Sequence, residues 1–483
     1  MFFSNIFFVI FFLPAALIFY HLFYFNNTAQ KVVLLFLNIA FYAMGADFHH
    51  VILMLCLIAF DYISGILLGY FVEKGKVRHS RFLLTFIIVL HIASLIPFKY
   101  LNFLLELYNN IFENHLTMPF NLVVPLGISF YTLRAISYHI DVFRKETKYQ
   151  RNPIDLAIYI SFFPQLLTGP LICYTEFQRN LKERYVDKEI FYQGIKRFSI
   201  GLIKVVLIAR NLSHITDSIF MLTTYGNTSN PVPVLVTWLG AITCTLQFYY
   251  DFTGFSDMSI GIGKLLGFSC EENFDHPMLA MTATSFCHKF NISLRLWFEK
   301  YVFGKSPENH SRNEDTQAKQ IAITWLLIGL WFGTGWNYIW WSAIIIVILI
   351  IEIIFQLQDT TENPLFRHLY VLLISVFFII FLRFDSASQM TVFLSYMFGL
   401  SNNGLYSSRL IMYLSEYKLT LTASILCIFM YSKPIRKYMN QSVSDRAREY
   451  LNHINDFILI ALFFFSFVAL TRGYYEPYIF MNL

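Results

Sequence analysis

Charge is scarce in this sequence. Lys, Arg, Asp and Glu make up 14% of its 483 residues against 56% hydrophobic ones, where a soluble globular chain carries about 25% charge. So few charged groups cannot coat a water-soluble globule. With 53 phenylalanines against 36 Lys and Arg, lipid must cover part of the surface. Cysteine is sparse and scattered: Cys56, Cys173, Cys244, Cys270, Cys287 and Cys427 include no Cys-x-x-Cys pair, and most lie in apolar segments. That excludes a disulfide framework and a zinc-ribbon spacing; the cysteines are expected as small buried groups and no metal is expected. Low-complexity tracts and an internal repeat are missing too, which argues against an inverted-repeat transporter. The first 25 residues, MFFSNIFFVIFFLPAALIFYHLFYF, lack a basic n-region and exceed a signal-peptide core, so they are read as a retained span. The net charge of +5 does not point to nucleic acid, because the basic residues form short clusters between apolar runs.

What is present is a succession of apolar runs. They cover 2–25, 31–46, 51–72, 82–98, 123–143, 155–173, 198–222, 232–250, 320–357, 369–382, 418–431 and 456–471. Several approach the ~20 residues needed to cross a bilayer; the shorter ones are read as tilted or re-entrant pieces. The expected fold class is an all-α polytopic membrane protein with about 10–13 membrane-embedded helices and re-entrant pieces. One membrane domain is expected over 1–483, with N-terminal spans in 1–120, a core in 121–400 and C-terminal spans in 401–483. Basic clusters at Lys74, Lys76, Arg78 and Arg81, at Arg144, Lys145, Lys148 and Arg151, and at Lys433, Arg436, Lys437, Arg446 and Arg448 mark the cytoplasmic side. Both termini are then expected outside. The longest polar stretches mid-chain, 174–197 and 300–319, are too short to be a catalytic domain.

Ionisable groups within spans cost roughly 2.5–3.5 kcal/mol each, so their positions point to a site or to a structural partner. In Pro125 to Glu146, Ser129, Tyr131, Arg134, Ser137, Tyr138, His139 and Asp141 interrupt an apolar helix, with Arg134, Ser137 and Tyr138 on one face. Asp141 is expected to pair with Arg144 or Lys145 at a membrane end, whereas the deeper Arg134 fits either reading. In FFPQLLTGPL, Phe162 to Leu171, two prolines and a glycine break the helix, as a re-entrant element would. Leu246 to Phe268 carries Asp251 and Asp257 among Gly254, Gly261, Gly263 and Gly267. The two acids suit acid–base work, but six residues apart they face different ways, and the glycines equally suit close helix packing. In Ser285 to Tyr301, His288, Asn291 and Arg295 stand at i, i+3 and i+7, one polar stripe on a helix. His288 is weighed as a base against a satisfied structural histidine. Asn337, beside Trp336, is expected to cap or bond locally.

These landmarks carry a likeness. PLGISFYTLRAISYHIDVFR, FFPQLLTGPL, GLIKVVLIA, YYDFTGFSDMSIGIGKLLGF, ENFDHP, NISLRLWF, LWFGTGWN, LRFDSAS and the final PYIF resemble, in order, those of bacterial membrane-bound O-acyltransferases, the alginate O-acetylase branch above all. The resemblance implies a helix bundle whose funnels from both faces meet near the midplane. It implies acyl transfer from a cytoplasmic thioester, acetyl-CoA or an acyl carrier protein, with no bound cofactor. The partners it implies are membrane lipid and a polysaccharide acceptor or an extracytoplasmic partner acetyltransferase, at a bacterial inner membrane. The sequence departs from the family pattern in one respect. The histidine that follows Leu-Trp in the family is Phe332 here, and the one preceding Ile-Ser is Asn291. Phenylalanine cannot take a proton, so His288, Asp257 and Asn291 become the catalytic candidates. Arg134, Gln165, Asp251, Arg295, Trp331, Trp336 and Asn337 are the substrate-tunnel candidates. A catalytically silent partner in a polysaccharide assembly complex and a glycan or lipid-linked unit transporter are the rival functions.

Overall fold

The structure, a computed structural model, describes residues 3–113, 122–225, 231–304, 314–355, 364–384, 386–430, 445–473 and 475. The basic positions 433, 436 and 437, the PYIF ending and much of the polar stretch 300–319 lie outside the described residues.

All regular structure among the described residues is helical, as a bilayer requires when the chain cannot close a barrel: only a helix satisfies its own backbone within one segment. This is an all-α polytopic membrane protein. Among the described residues, seven helices are long and apolar enough to cross: Asn27–Gly45, Phe48–Glu73, Val77–Phe112, Lys188–Thr224, Trp336–Ile354, Leu365–Arg383 and His453–Thr471. A pair bent by 68°, Ser408–Glu416 with Lys418–Phe429, brings the number to as many as eight. The remaining apolar runs fall into two groups. Some runs fold as shorter pieces: the first becomes Phe8–Leu22, and 155–173 becomes the nine-residue helix Pro153–Ser161 followed by broken backbone. Others are too polar for lipid because protein covers them. Val234–Leu265 is buried along nearly its whole 32-residue length, and Ile128–Phe143 is buried at every position from Ile128 to Val142.

Those two helices organise the interior. Phe130, Leu133, Ile136 and Ile140 of one, and Leu246, Tyr249 and Phe252 of the other, join an aromatic core with Phe286, Phe290, Trp331, Phe332, Trp341 and Phe378. Their other faces, Tyr131 and Tyr138, Phe255 and Met258, join a second core with Leu34, Phe41, Phe162, Phe163 and Phe268. The glycines of Val234–Leu265 serve close packing: a Cβ on Gly261 would stand 2.6 Å from Phe198 N, so the Lys188–Ile203 helix lies backbone to backbone against it.

The break in the membrane-embedded backbone follows from its sequence. Asn152 caps Pro153–Ser161 by accepting from Ile154 N at 3.0 Å. The chain leaves helical geometry at Phe162 (ψ 102), and Pro164, with no N–H to continue the helix, opens one tight turn over Phe163–Gln165, followed by irregular chain to Cys173. Gly169 lies at φ +98, where an added Cβ would stand 2.0 Å from Ser259 Oγ, so only glycine fits between this segment and Val234–Leu265.

Candidate functional site

Arg134 is 1% exposed, and its guanidinium serves the broken segment. Nη1 donates to Tyr159 O (3.0 Å) and Phe162 O (3.4 Å), and Nη2 to Gln165 O (2.8 Å) and Gln165 Oε1 (3.2 Å). Tyr159 O lacks its helical donor because Phe163 N turns to Asn38 Oδ1 (3.0 Å), whereas Phe162 O also accepts from Gln165 N (3.1 Å). Arg134 and Gln165 therefore shape the re-entrant element.

The far end of that element meets a second polar joint. Asn273 O accepts from Ile292 N at 2.9 Å, and Asn273 Nδ2 donates to Asn291 Oδ1 at 3.1 Å. Asn273 Oδ1 accepts from Ser293 N at 3.0 Å and from Ser293 Oγ at 2.9 Å. The Ser293 hydroxyl oxygen in turn accepts from Leu171 N at 2.9 Å. Asn291 has φ +46, a left-handed backbone that Asn and His tolerate better than most residues. It separates Ala283–Lys289 from Ile292–Phe303. The stripe of His288, Asn291 and Arg295 expected on one helix is therefore broken. His288 is exposed, and Arg295 binds Glu299 at 2.7 Å on its own helix.

Between these two joints lies a cleft of ≈ 300 Å³, lined by Phe130, Thr168, Gly169, Leu171, Phe252, Asn273, Asn291, Ser293, Leu294 and Trp331. Two of its donors, Thr168 Oγ1 and Trp331 Nε1, are buried and find no partner among the described residues. Phe332, next to Trp331, is 6% exposed. Its ring lies 5.3 Å from Trp331, 5.6 Å from Trp341 and 6.1 Å from Phe252. The turn that presents Trp331 and Phe332 is the end of Glu314–Phe332, and its last carbonyls are capped from outside. Lys99 Nζ donates to Trp331 O (2.5 Å) and Ser129 Oγ (3.3 Å), and Tyr100 Oη to Leu330 O (2.9 Å). A cation at a helix C-terminus is favoured by the helix dipole.

A second cleft of ≈ 300 Å³ lies along Val234–Leu265, lined by Cys244, Gln247, Phe248, Asp251, Ile379, Leu382 and Arg383. Asp251 Oδ2 accepts from Tyr475 Oη at 2.8 Å, Tyr475 Oη accepts from Gln247 Nε2 at 3.2 Å, and Arg383 pairs with Asp217 at 2.6 Å. Asp251 Oδ1 is buried without a partner among the described residues. Phe248 and Phe252, at 5.1 Å, stand between the two clefts, with Phe290 about equally near both.

Several expectations change. Asp257 is held by two cations, Arg197 and Lys204, each at 2.6 Å, and shares nothing with Asp251. Asp141 takes Lys300 (3.5 Å), Thr175 and Tyr301 as partners rather than Arg144 or Lys145; Arg144 instead donates to Lys300 O and Tyr301 O. Asn337 bonds not locally but to Phe384 O, at 2.7 Å. Trp336 is 47% exposed against Phe103 and lines neither cleft. Cys244 and Cys287 are buried as expected, whereas Cys56 is exposed.

The sequence reading missed three residues. Lys99 ends an apolar run, and its signal was a lone lysine at a helix-length distance from the last basic cluster. Glu352, the one charge in 343–354, is wholly buried and accepts from Ala283 N (2.6 Å), Thr284 N (2.8 Å) and Thr284 Oγ1 (2.7 Å), fixing the segment that leads to Asn291. Asn273 carried no signal beyond its place in ENFDHP.

Residues 84–395, which hold both clefts' principal walls, match the model of MBOAT, the membrane-bound O-acyltransferase family. The chain belongs to the membrane-bound O-acyltransferase family. It is 35% identical over 346 residues to the probable alginate O-acetylase AlgI of Pseudomonas aeruginosa, covering 70% of this chain and 63% of that protein. To the protein of the same name from Azotobacter vinelandii it is 35% identical over 289 residues, 59% of this chain and 56% of the relative. A peptidoglycan O-acetyltransferase of Helicobacter pylori is 27% identical over 314 residues, 58% of each chain. The matches thus span less than two thirds of these relatives' lengths. Asn291 and Phe332 both stand at the first cleft, Asn291 in its wall and Phe332 directly behind Trp331 and Phe252.

Proposed function

We propose that this protein serves the O-acetylation of a cell-surface or secreted polysaccharide, with the first cleft as the place where an acyl thioester and an acceptor hydroxyl meet. The observation that carries this reading is the cleft between the re-entrant segment and Asn291, whose Trp331 N–H and Thr168 O–H are buried without partners among the described residues. Donors held so in a dry cavity suit a carbonyl oxygen that gains negative charge as the hydroxyl attacks. Asn291 can add an amide donor at the same place. The donor would be acetyl-CoA or an acyl carrier protein on the cytoplasmic side of an inner membrane, with both chain termini outside. A partner acetyltransferase beyond the membrane would receive the acyl group or finish its transfer.

Phe332 favours a second reading, in which the chain is a silent member of the family acting within a polysaccharide assembly complex. Its ring is packed against Trp331, Trp341 and Phe252, offers no proton acceptor, and loss of a general base typically costs a factor of about 10²–10⁴.

The test is polysaccharide ester content in a host lacking its own surface acetylation, with candidate partners co-expressed, for the native chain, Phe332→His, Asn291→His and His288→Ala. Ester from the native chain that survives His288→Ala supports a cleft without a histidine base; ester that vanishes with His288→Ala assigns the base to His288. Ester only from a histidine-restored chain supports the silent reading. Ester from none would refute the acyl-transfer reading in both forms.

A further inference from the structure

Away from both clefts, three fully buried side chains converge from three helices. Asp61 lies on Phe48–Glu73, His91 on Val77–Leu95 and His139 on Ile128–Phe143, each 0% exposed. His91 Nε2 is 2.7 Å from Asp61 Oδ1, and His139 Nδ1 is 3.9 Å from the same oxygen. One ligand-type atom from each residue lies within 4.8 Å of the others. We propose that Asp61, His91 and His139 form a binding site for a divalent transition metal of the zinc class that ties these three helices together.

Four features support it. Zinc takes imidazole nitrogen at about 2.0–2.1 Å and carboxylate oxygen at about 2.0–2.2 Å, which puts tetrahedral ligands roughly 3.3 Å apart. The His91 Nε2–Asp61 Oδ1 separation of 2.7 Å is shorter than that, and the ligand-type atoms of the three residues lie within 4.8 Å of one another, so side-chain rotations admit the ion. His139 Nδ1 stands 2.8 Å from Ala135 O and must donate to it, which fixes the tautomer and leaves the Nε2 lone pair as the ligand; a backbone carbonyl on the other ring nitrogen is the usual support of a metal-bound histidine. Ser64, one turn from Asp61, donates its hydroxyl to that Nε2 at 2.9 Å, which marks where the lone pair points; the ion would take the hydroxyl's place. Finally, Asp61 Oδ2 and His91 Nδ1 are buried with no hydrogen-bond partner among the described residues. Such groups ordinarily find one.

Electrostatics select the class of ion. No Lys or Arg among the described residues pairs with the Asp61 carboxylate; only the two imidazoles reach it. One carboxylate and two imidazoles suit zinc and its neighbours, whereas magnesium and calcium call for oxygen-rich sets. The ion would brace the helix that carries Arg134 one turn before His139, and with it the floor of the first cleft. This inference does not depend on the acyl-transfer reading.

The test is elemental analysis of the tag-free full-length chain in detergent after growth in zinc-replete medium, beside cobalt titration followed in the visible spectrum. The expected results are close to one zinc per chain, the intense visible bands of four-coordinate cobalt, and a fall in metal affinity of more than about tenfold in His91→Asn and in Asp61→Asn. Both replacements preserve much of the shape, and elution as a single species reports whether they fold. If they do not accumulate, the native chain decides alone. A chain that contains no zinc and gives no cobalt spectrum overturns the proposal, as does zinc content unchanged in the Asp61→Asn, His91→Asn double variant.

Discussion

Replacing Arg134 by methionine removes the groups that satisfy Tyr159 O, Phe162 O and Gln165 O while keeping a long apolar stem in the same space. Leaving a buried acceptor unpaired costs about 1–3 kcal/mol; Phe162 O keeps its bond from Gln165 N, so Tyr159 O and Gln165 O together come to about 2–6 kcal/mol. Removing a buried cation also ends its desolvation penalty, which offsets part of that loss. The net expectation is a local destabilisation of about 2–4 kcal/mol, confined to the segment from Phe162 to Cys173. Hydrogen exchange reads this directly, because local opening sets the exchange rate of protected amides. The amides of Gln165 and Leu166, which donate to Phe162 O and Phe163 O, should exchange roughly 30- to 1,000-fold faster in Arg134→Met at about 1.4 kcal/mol per factor of ten. Amides in Lys188–Ile203 should change little. Arg134→Lys, with one compact ammonium for three carbonyls, should fall between the two. Exchange at these two amides within threefold of the native chain would refute the reasoning, since the segment would then be held by its own packing.

Gly169→Ala should lower stability by about 1–3 kcal/mol or more, because its left-handed backbone and the Ser259 Oγ at 2.0 Å both oppose a Cβ; Ser259→Gly in the same chain should recover the steric part, read as a double-mutant cycle of thermal midpoints in detergent. Glu352→Leu removes three hydrogen bonds to a charged acceptor, and a loss of at least about 3 kcal/mol is expected. Glu352→Gln, which keeps one acceptor oxygen but turns an amide donor toward the helix start, should lose less. Equal stability of Glu352→Leu and the native chain would show that the segment before Asn291 is held by something else.

The membrane character, the helical class and the broken element were legible from the sequence because each rests on short-range chemistry. A run of apolar residues must meet lipid or protein, and Pro164 breaks a helix whatever surrounds it. Arg134 could be singled out for its depth, but its three acceptors come from a segment 25 to 31 residues onward, and no spacing rule links them. The stripe of His288, Asn291 and Arg295 failed for the opposite reason. Helical spacing brings residues together only while the helix lasts, and Asn291 with its positive φ ends it. Glu352 and Lys99 show a third case. Each is one charged residue in or beside an apolar run, and each is explained by the terminus of a helix distant in sequence: Glu352 receives the first amides of Ala283–Lys289, and Lys99 caps the last carbonyls of Glu314–Phe332. Intramembrane charge was the right signal in both, but the partner is a backbone end, which leaves no mark in the sequence.

The two clefts give the Phe332 substitution a physical meaning beyond the missing base. Gln247, Phe248 and Asp251 line the second cleft, Phe252 lines the first, and Phe248 touches Phe252. A single helix therefore walls both, with aromatic rings at the division. A histidine at 332 would bring a polar ring to that division and need a hydrogen-bond partner there; phenylalanine needs none and packs edge-on against Trp331, Trp341 and Phe252. Phenylalanine at 332 thus keeps this division apolar. If the first cleft works as a transferase site, its polar machinery must come from the residues already facing it, Thr168, Asn291 and Trp331. Adding an imidazole at 332 should then disturb packing as well as supply a base, so Phe332→His should lower thermal stability even where it raises ester yield. A histidine variant that gains both would mean that the partition is not what holds these rings together.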